Sequence, residues 1–101
     1  MSYKKLINKI KKRNLKISIA ESCTGGKICN EFTKIPGVSK IFILGVITYS
    51  NESKINILKI KKSKLKKFGA VSSVIAKEMS SKILKISKSD FSISTTGISG
   101  P

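Results

Sequence analysis

The stretch Ala20-Glu21-Ser22-Cys23-Thr24-Gly25-Gly26 decides how the rest of this chain is organised. It follows a short alternating apolar segment, residues 15–19, and precedes residues 27–35, which are predicted to form a helix. A strand-to-helix turn of this kind exposes side chains at the end of the strand and directs free backbone N–H groups of the helix at the same place. Ligands of open α/β sheets usually bind there. The turn therefore presents three candidate nucleophiles in succession, a serine, a cysteine and a threonine.

The same stretch also has a purely structural interpretation. Gly25 and Gly26 could serve only to turn the chain, while Ser22 or Thr24 caps the helix that follows. Glycine and serine are ordinary turn residues, so the local pattern alone leaves both interpretations open.

Length and composition indicate one small domain spanning residues 1–101. A chain of 101 residues with 40% hydrophobic content can bury one modest core and is too apolar for a disordered segment. No apolar run approaches the roughly 20 residues of a membrane span, and the lysine-rich start lacks the apolar part of a signal peptide. We therefore expect a soluble, cytoplasmic protein that does not bind membranes.

The formal charge of +16, from 21 basic and five acidic residues, raises the question of a polyanionic partner. Nearly all the basic residues are lysines spread along the chain, whereas nucleic-acid surfaces usually cluster arginines and interleave aromatic residues. Residues 59–67 are the best candidate for such a surface, although a solvated lysine-rich face explains them more simply. We expect only non-specific, salt-dependent adhesion to nucleic acids.

The sequence contains no histidine. This excludes Ser-His-Asp and Cys-His catalysis and removes the commonest metal ligand. The two cysteines, Cys23 and Cys29, lack the number and spacing of a disulfide scaffold or a zinc site. Any nucleophilic chemistry must therefore use a lysine, a carboxylate or a tyrosine as its base.

Hydrophobic periodicity predicts alternating helices and strands. Helices are expected at residues 3–13, 27–35, 52–60, 63–68 and after a Ser72-Ser73 cap, and strands at residues 15–20, 41–47 and 91–95. This order indicates a layered α/β/α fold with a mostly parallel sheet. The continuous apolar run 41–47 predicts a central strand buried on both faces, and the alternating segments 15–20 and 91–95 predict partly exposed strands.

Each predicted strand ends in a polar corner, at residues 21–26, 48–51 and 95–97. In a parallel sheet these three corners meet at one edge. The acid–base candidates are Tyr49 and Lys54, which are about one helical turn apart and can face the same crevice. A partly desolvated lysine has a lowered pKa and could act as a base.

Both candidates also have ordinary structural interpretations. Lys54 could be one more surface lysine among twenty. Tyr49 could be a half-buried sheet residue whose hydroxyl group binds the backbone.

Four segments together resemble the CinA C-terminal domain family. They occur in the family's order at residues 20–26, 46–54, 69–72 and 96–101, and the resemblance extends from about residue 3 to the last residue. It implies nicotinamide-nucleotide amidohydrolase activity, in which nicotinamide mononucleotide and water give nicotinic acid mononucleotide and ammonia during pyridine nucleotide salvage. The implied partner is this small nucleotide substrate, and neither a metal nor a cofactor is implied.

Position by position, the resemblance assigns Ser22 as the nucleophile, Lys54 as the general base and Tyr49 as its proton-relay partner. The mechanism that it implies is acyl transfer. Ser22 attacks the carboxamide, Lys54 with Tyr49 passes the proton to the departing ammonia, and water then cleaves the acyl-enzyme.

The resemblance also implies a substrate site around the first and third corners. Thr96 matches a hydroxyl residue that lines the substrate site, and Gly97 lies beside it. Backbone N–H groups of Thr24, Gly25 and Gly26 would suit either the oxyanion or the substrate phosphate.

The sequence also departs from the family's pattern. Family domains continue past the Gly-Pro corner with a further strand and a helix that carry a substrate-contacting arginine, which Arg13 on the first helix does not replace. We therefore expect a domain that is truncated relative to the family, with little or no activity by itself. Its partner would be a second copy of the chain or a complementing carboxyl-terminal fragment. The alternatives are a small basic nucleic-acid-associated protein and a non-catalytic subunit or remnant.

Overall fold

The structure is a computed structural model that describes residues 3–97. Within this range the helices are α1 Tyr3–Lys12, α2 Lys27–Thr33, α3 Asn51–Asn56, α4 Lys62–Phe68 and α5 Ser73–Ser87, with a 3₁₀ helix at Val38–Lys40, and the strands are β1 Ile17–Glu21, β2 Phe42–Ile47 and β3 Phe91–Ser94. The predicted elements are all present, with ends that differ by a few residues. None of the helices in this range is both long and apolar enough to cross a membrane.

Serine side chains start two of the helices, one of them within the predicted Ser72-Ser73 cap. The Ser50 hydroxyl accepts a hydrogen bond from the Ser53 N–H at 3.0 Å and begins α3, and the Ser72 hydroxyl accepts one from the Ile75 N–H at 3.2 Å and begins α5. Such caps satisfy N–H groups that have no partner inside the helix. The cap at Ser50 fixes where the first turn of α3 lies relative to the end of β2.

The three strands form a parallel sheet in the order β2-β1-β3. The prediction that residues 41–47 form the central strand is therefore wrong, because β2 lies at the edge of this sheet. Its Ile43 and Ile47 side chains are 47% and 53% exposed. The central strand is β1, which was expected to be partly exposed and in which every residue is buried.

Hydrogen-bonded serines explain how the alternating strand β1 can lie in the interior, whereas every residue of the other alternating strand, β3, is partly exposed, as predicted. The hydroxyl oxygens of Ser18 in β1 and Ser89 are 2.9 Å apart, and the hydroxyl groups of Ser92 and Ser94 in β3 donate to backbone carbonyl oxygens of α5 at 2.7 and 2.6 Å. A hydroxyl group costs little to bury when it is hydrogen-bonded. The serine hydroxyl groups of these strands are therefore hydrogen-bonded to α5 or to Ser89, which follows it.

Helices cover both faces of the sheet, which confirms the layered α/β/α class. One apolar cluster lies beneath α1, α2 and the 3₁₀ helix and contains Ile7, Ile10, Ile17, Ile19, Phe32, Val38 and Ile41. The other lies beneath α3, α4 and α5 and contains Ala20, Leu58, Ile60, Leu65, Ile75, Met79 and Ile83. The strand β1 contributes to both clusters, and its carboxyl end leads directly into the turn at residues 22–26.

Candidate active site

The turn after β1 carries Ser22, which is buried to 5% exposure. Gly25 and Gly26 follow with φ angles of 59° and 104°, in the left-handed region that favours glycine. A Cβ atom at Gly26 would also lie 2.9 Å from Cδ1 of Ile47. The glycines therefore allow the chain to turn sharply beside the end of β2.

Lys54 reaches the same corner from the opposite helical layer. Its side chain is 1% exposed, and its Nζ donates hydrogen bonds to Oγ of Ser22 at 2.9 Å and to the carbonyl oxygens of Thr48 and Tyr49 at 2.7 and 3.3 Å. The short helix α3, started by the Ser50 cap, places Lys54 at this position. Its burial excludes the interpretation of Lys54 as an ordinary surface lysine.

Burial lowers the pKa of Lys54 from its ordinary value, although its electrostatic interaction with Cys23 acts in the opposite direction. In the ammonium form, the three Nζ protons match the three oxygen acceptors around it. In the neutral form, two protons can remain on the Thr48 and Tyr49 carbonyl oxygens while the lone pair faces Ser22. The arrangement can therefore accept the proton of the Ser22 hydroxyl group.

Glu21, the last residue of β1, is fully buried. Its side chain is hydrogen-bonded to residues of the turn and of α2 and not to Lys54. Its carboxylate accepts hydrogen bonds from the Thr24 hydroxyl at 2.6 Å and from the N–H groups of Gly26, Ile28 and Cys29 at 3.2, 3.1 and 2.8 Å. Burial would raise the pKa of Glu21, but the hydrogen bonds from Cys29, Thr24 and Ile28 outweigh it and lower the pKa to about 2. Burial and the Glu21 carboxylate raise the pKa of the Cys29 thiol to about 12.

This arrangement corrects two expectations about the turn. The cap residue of α2 is Gly26, without a side-chain cap of its own, so neither Ser22 nor Thr24 caps the helix. The Gly26 N–H is bound to Glu21 and the Gly25 N–H to the Ser22 carbonyl oxygen at 3.1 Å, so these two groups do not face an oxyanion or a phosphate.

The backbone N–H groups of Cys23 and Thr24 differ from those that follow. Among residues 3–97 no acceptor is hydrogen-bonded to either of them. They directly follow Ser22 in the chain. Neither N–H group is therefore bound to an acceptor within the described residues, and both can bind an acceptor on a ligand.

The backbone carbonyl oxygen of Tyr49 accepts a hydrogen bond from Nζ of Lys54 at 3.3 Å. The Tyr49 side chain is 64% exposed at the same corner, so the interpretation as a half-buried sheet residue is wrong. Ser22, Lys54 and Tyr49 thus lie together, as expected from convergence of the strand ends.

The third corner is tied to the first by hydroxyl groups. The hydroxyl oxygens of Thr24 and Thr95 are 2.9 Å apart, and a Cβ atom at Gly97 would lie 3.2 Å from Sγ of Cys23. The Thr96 hydroxyl group donates to the carbonyl oxygen of Ala70 at 2.7 Å, so it anchors the end of β3 to the loop before α5. The remainder of the predicted corner motif, residues 98–101, lies outside the described residues.

A separate open cleft of about 310 Å³ lies at the other end of the sheet. It is lined by Leu6, Lys9, Ile10, Arg13, Leu15 and Phe91. Because Leu15 precedes β1 and Phe91 begins β3, the length of a strand separates this cleft from Ser22. Arg13 therefore lies away from the three corners, as expected.

Sequence reasoning missed the role of Glu21, although this residue stands inside the motif that it singled out. It also missed the backbone carbonyl oxygens around Lys54. An unpaired carboxylate at the end of an apolar strand, just before a helix start, was an available signal for Glu21. Backbone acceptors depend on the tertiary position of a strand end, so the sequence contained no comparable signal for them.

Comparison with known proteins finds the same family that the motifs indicate. The family described as CinA C-terminal domain matches residues 2–101. A competence-damage inducible protein of Caldicellulosiruptor saccharolyticus is 51% identical over 96 residues, which is 95% of this chain and 23% of that relative. A protein of the same name from Clostridium botulinum strain Okra is 53% identical over 90 residues, covering 89% of this chain and 22% of that relative.

Solved structures share the fold closely. A CinA superfamily protein of Escherichia coli superposes with a TM-score of 0.95 at 30% identity, covering 98% of this chain and 58% of that chain. A competence/damage inducible protein of Agrobacterium tumefaciens superposes with a TM-score of 0.95 at 37% identity, covering 98% of this chain and 60% of that chain. The chain thus spans about a quarter of the length of the curated relatives and about three fifths of these structures.

Proposed function

Because the chain belongs to the CinA C-terminal domain family, we propose that it carries the nucleophile and the base of a nicotinamide-nucleotide amidohydrolase. The observation that carries this proposal is the 2.9 Å contact between Nζ of the buried Lys54 and Oγ of Ser22. A nucleophile and a base within hydrogen-bonding distance, with the base oriented by further groups, are the usual parts of serine acyl-transfer sites. The substrate proposed is nicotinamide mononucleotide.

The first chemical step forms an ester on Ser22. Lys54, as a neutral amine, takes the hydroxyl proton while Oγ of Ser22 attacks the carboxamide carbon. The tetrahedral intermediate then collapses, the carbon–nitrogen bond breaks, and the Lys54 ammonium group returns its proton to the leaving nitrogen, which departs as ammonia. Tyr49, whose side chain is 64% exposed, is proposed to relay that proton.

The second step regenerates the nucleophile. A water molecule attacks the ester carbon while Lys54 accepts its proton. The ester bond to Ser22 breaks, the proton returns to Oγ, and the pyridine carboxylic acid is released. Each step uses Lys54 in alternating protonation states, and burial favours the neutral state by lowering the pKa of Lys54.

The N–H groups of Cys23 and Thr24 are proposed to stabilise the oxyanion of the tetrahedral intermediate. The N–H of the residue after the nucleophile serves this purpose in other serine hydrolases with a nucleophile at a strand-to-helix turn. Removal of one such donor typically costs about 10²–10³ in kcat. Thr96 and Gly97 are proposed to border the bound nucleotide at the third corner.

The test uses the purified chain and nicotinamide mononucleotide. Ammonia release is measured with a coupled assay, and mass spectrometry of a rapid single-turnover mixture detects acylated Ser22 even where turnover is slow. Ser22→Ala should abolish both signals. The matched control is Ser63→Ala, which removes a hydroxyl group from an exposed position of α4 and should leave both unchanged.

Cys23→Ala separates the serine from its neighbouring thiol. If the serine is the nucleophile, this variant still forms the adduct on residue 22. An adduct on Cys23, or ammonia release that survives Ser22→Ala, would refute the proposed function.

A further inference from the structure

We propose that Glu21 is a positioning residue, whose buried carboxylate acts as an internal anion that holds the turn carrying Ser22 in its reactive shape. The inference rests on the proposed function of Ser22 as a nucleophile. It concerns a residue that does not touch the reacting atoms and acts through its neighbour in the chain.

The contacts of Glu21 span the whole turn. Its Oε1 accepts from the Thr24 hydroxyl and from the N–H groups of Gly26 and Ile28, and its Oε2 accepts from the N–H of Cys29. These donors lie three, five, seven and eight residues after Glu21. One side chain therefore fixes the path of the chain from the end of β1 to the first turn of α2.

No cation shares this carboxylate in the described part of the chain. The ion pairs formed among residues 3–97 join Lys34 to Glu31 and Lys64 to Glu78, and neither involves Glu21. A fully buried carboxylate without a cation is tolerated only when several hydrogen bonds satisfy it. Although the chain contains 20 lysines, the Glu21 carboxylate is bound by backbone N–H groups and a hydroxyl group.

Glu21 also connects the nucleophile to the base through the backbone. Its carbonyl oxygen accepts a hydrogen bond from the Thr48 N–H at 2.8 Å, and the Thr48 carbonyl oxygen in turn accepts a hydrogen bond from Nζ of Lys54 at 2.7 Å. Ser22 is the next residue in the chain. The side chain of Glu21 therefore orders the turn of Ser22, while its backbone fixes the strand end that orients Lys54.

The internal anion also limits how a substrate can bind. The N–H groups at the start of α2, which usually attract phosphates at such turns, are already occupied by a negative charge. An anionic group of the substrate would be repelled from that position. We infer that the phosphate of a nucleotide binds to other groups, away from the start of α2.

Chemical rescue tests the positioning role. Glu21→Ala removes the carboxylate and leaves space that matches acetate, while the donors of the turn remain. The rate of covalent labelling of Ser22 by a fluorophosphonate probe should fall, on the order of 100-fold for a displacement of about 1 Å. Acetate should restore the labelling rate and raise the melting temperature in a saturable manner, whereas acetamide, which has the same shape and no charge, should do neither.

Glu31→Gln is the matched control, because it removes a carboxylate from the surface of α2 that pairs only with Lys34 in the described structure. It should label at the rate of the unsubstituted chain and should not respond to acetate. Equal effects of acetate and acetamide, or an unchanged labelling rate in Glu21→Ala, would overturn the proposal.

Glu21→Gln decides the question if Glu21→Ala does not fold with acetate present. It keeps the size of the side chain and removes the charge, so slower labelling of a folded variant supports the positioning role and unchanged labelling overturns it. Acylation of Cys23 in place of Ser22 by nicotinamide mononucleotide, in a chain that still shows rescued labelling, would reject the proposed function alone. Hydrolysis that depends on Ser22 but is insensitive to Glu21 would reject only this inference.

Discussion

Acid should destabilise this domain chiefly through Glu21. The sequence contains only five acidic residues, and Glu21 is fully buried with its carboxylate bound to four donors. Glu78 also has a lowered pKa because of its hydrogen bond to Lys64, but the Lys64 side chain is 42% exposed, and solvent weakens such a pair. Replacement of Glu21 by glutamine should therefore remove most of the acid-dependent part of the free energy of unfolding.

The magnitude follows from the pKa of Glu21, which folding lowers from 4.5 to about 2. Each pKa unit corresponds to about 1.4 kcal/mol, so the ionised carboxylate contributes about 3 kcal/mol to the free energy of unfolding. Because the pKa is lowered in the folded state, this contribution is complete above pH 4.5 or so. It declines as the pH falls and is lost near pH 2.

Urea unfolding followed by circular dichroism at several pH values between 7 and 2 measures this contribution. At pH 7 the Glu21→Gln variant should unfold at a urea concentration about 2 M lower than the unsubstituted chain, given a slope of about 1.5 kcal/mol/M. The difference between the two proteins should shrink below pH 4.5. Glu31→Gln serves as the control and should follow the unsubstituted chain throughout.

Two results would refute this reasoning. One is a difference in free energy of unfolding that stays constant from pH 7 to pH 2.5, which would mean that glutamine acts through shape and not through charge. The other is an unsubstituted chain whose stability does not change between pH 5 and pH 2.5, which would mean that the carboxylate gains nothing on folding.

Three further predictions concern the base, its neighbour and the sheet. If Lys54 is the base, as proposed, Lys54→Met should lower kcat by about 10²–10⁴. The kcat of the unsubstituted chain should rise with pH below pH 10.5, because burial lowers the pKa of Lys54 and the base must be neutral. A rise at or above pH 10.5 would contradict this. Tyr49→Phe should lower kcat at least about tenfold if the phenol relays a proton, whereas full activity would limit Tyr49 to its backbone carbonyl. Gly45→Ala should lower the free energy of unfolding, measured with urea, by about 1–3 kcal/mol. The reason is that the new Cβ would lie 2.7 Å from Sγ of Cys29 and 2.9 Å from Cζ of Phe42. An unchanged free energy of unfolding would show that both side chains move away freely.

The element order and the meeting of Ser22 with Lys54 could be predicted from the sequence. Helical spacing, serine caps and the polar corners are local signals, and parallel strands bring their carboxyl ends to one edge whatever their order. For that reason an incorrect strand order did not affect the expected site. The contact at 2.9 Å between the two side chains is a consequence of this topology.

The position of each strand in the sheet could not be predicted from its hydrophobicity. The run at 41–47 is more apolar than residues 15–20, yet the latter lie in the centre. Ser18 is buried because Ser89 supplies a hydrogen-bonding partner 71 residues away in the sequence. A pattern of apolar and polar residues predicts which side chains are costly to bury. It does not indicate where a hydrogen-bonding partner, distant in the sequence, offsets that cost.

The arrangement of Glu21 and Lys54 is compatible with the proposed role of Lys54 as the base of Ser22 in a chain without histidine. A lysine with the ordinary pKa of about 10.5 is neutral in only about one molecule in 3,000 at pH 7, so its pKa must fall before it can act as a base. A carboxylate facing Nζ would work against this by stabilising the ammonium form. The carboxylate of Glu21 is bound instead by the donors of Thr24 and α2, and the electrostatic interaction that raises the pKa of Lys54 comes from Cys23. A negative charge bound at the start of α2 can therefore order the turn of the proposed nucleophile without stabilising the ammonium form of the proposed base.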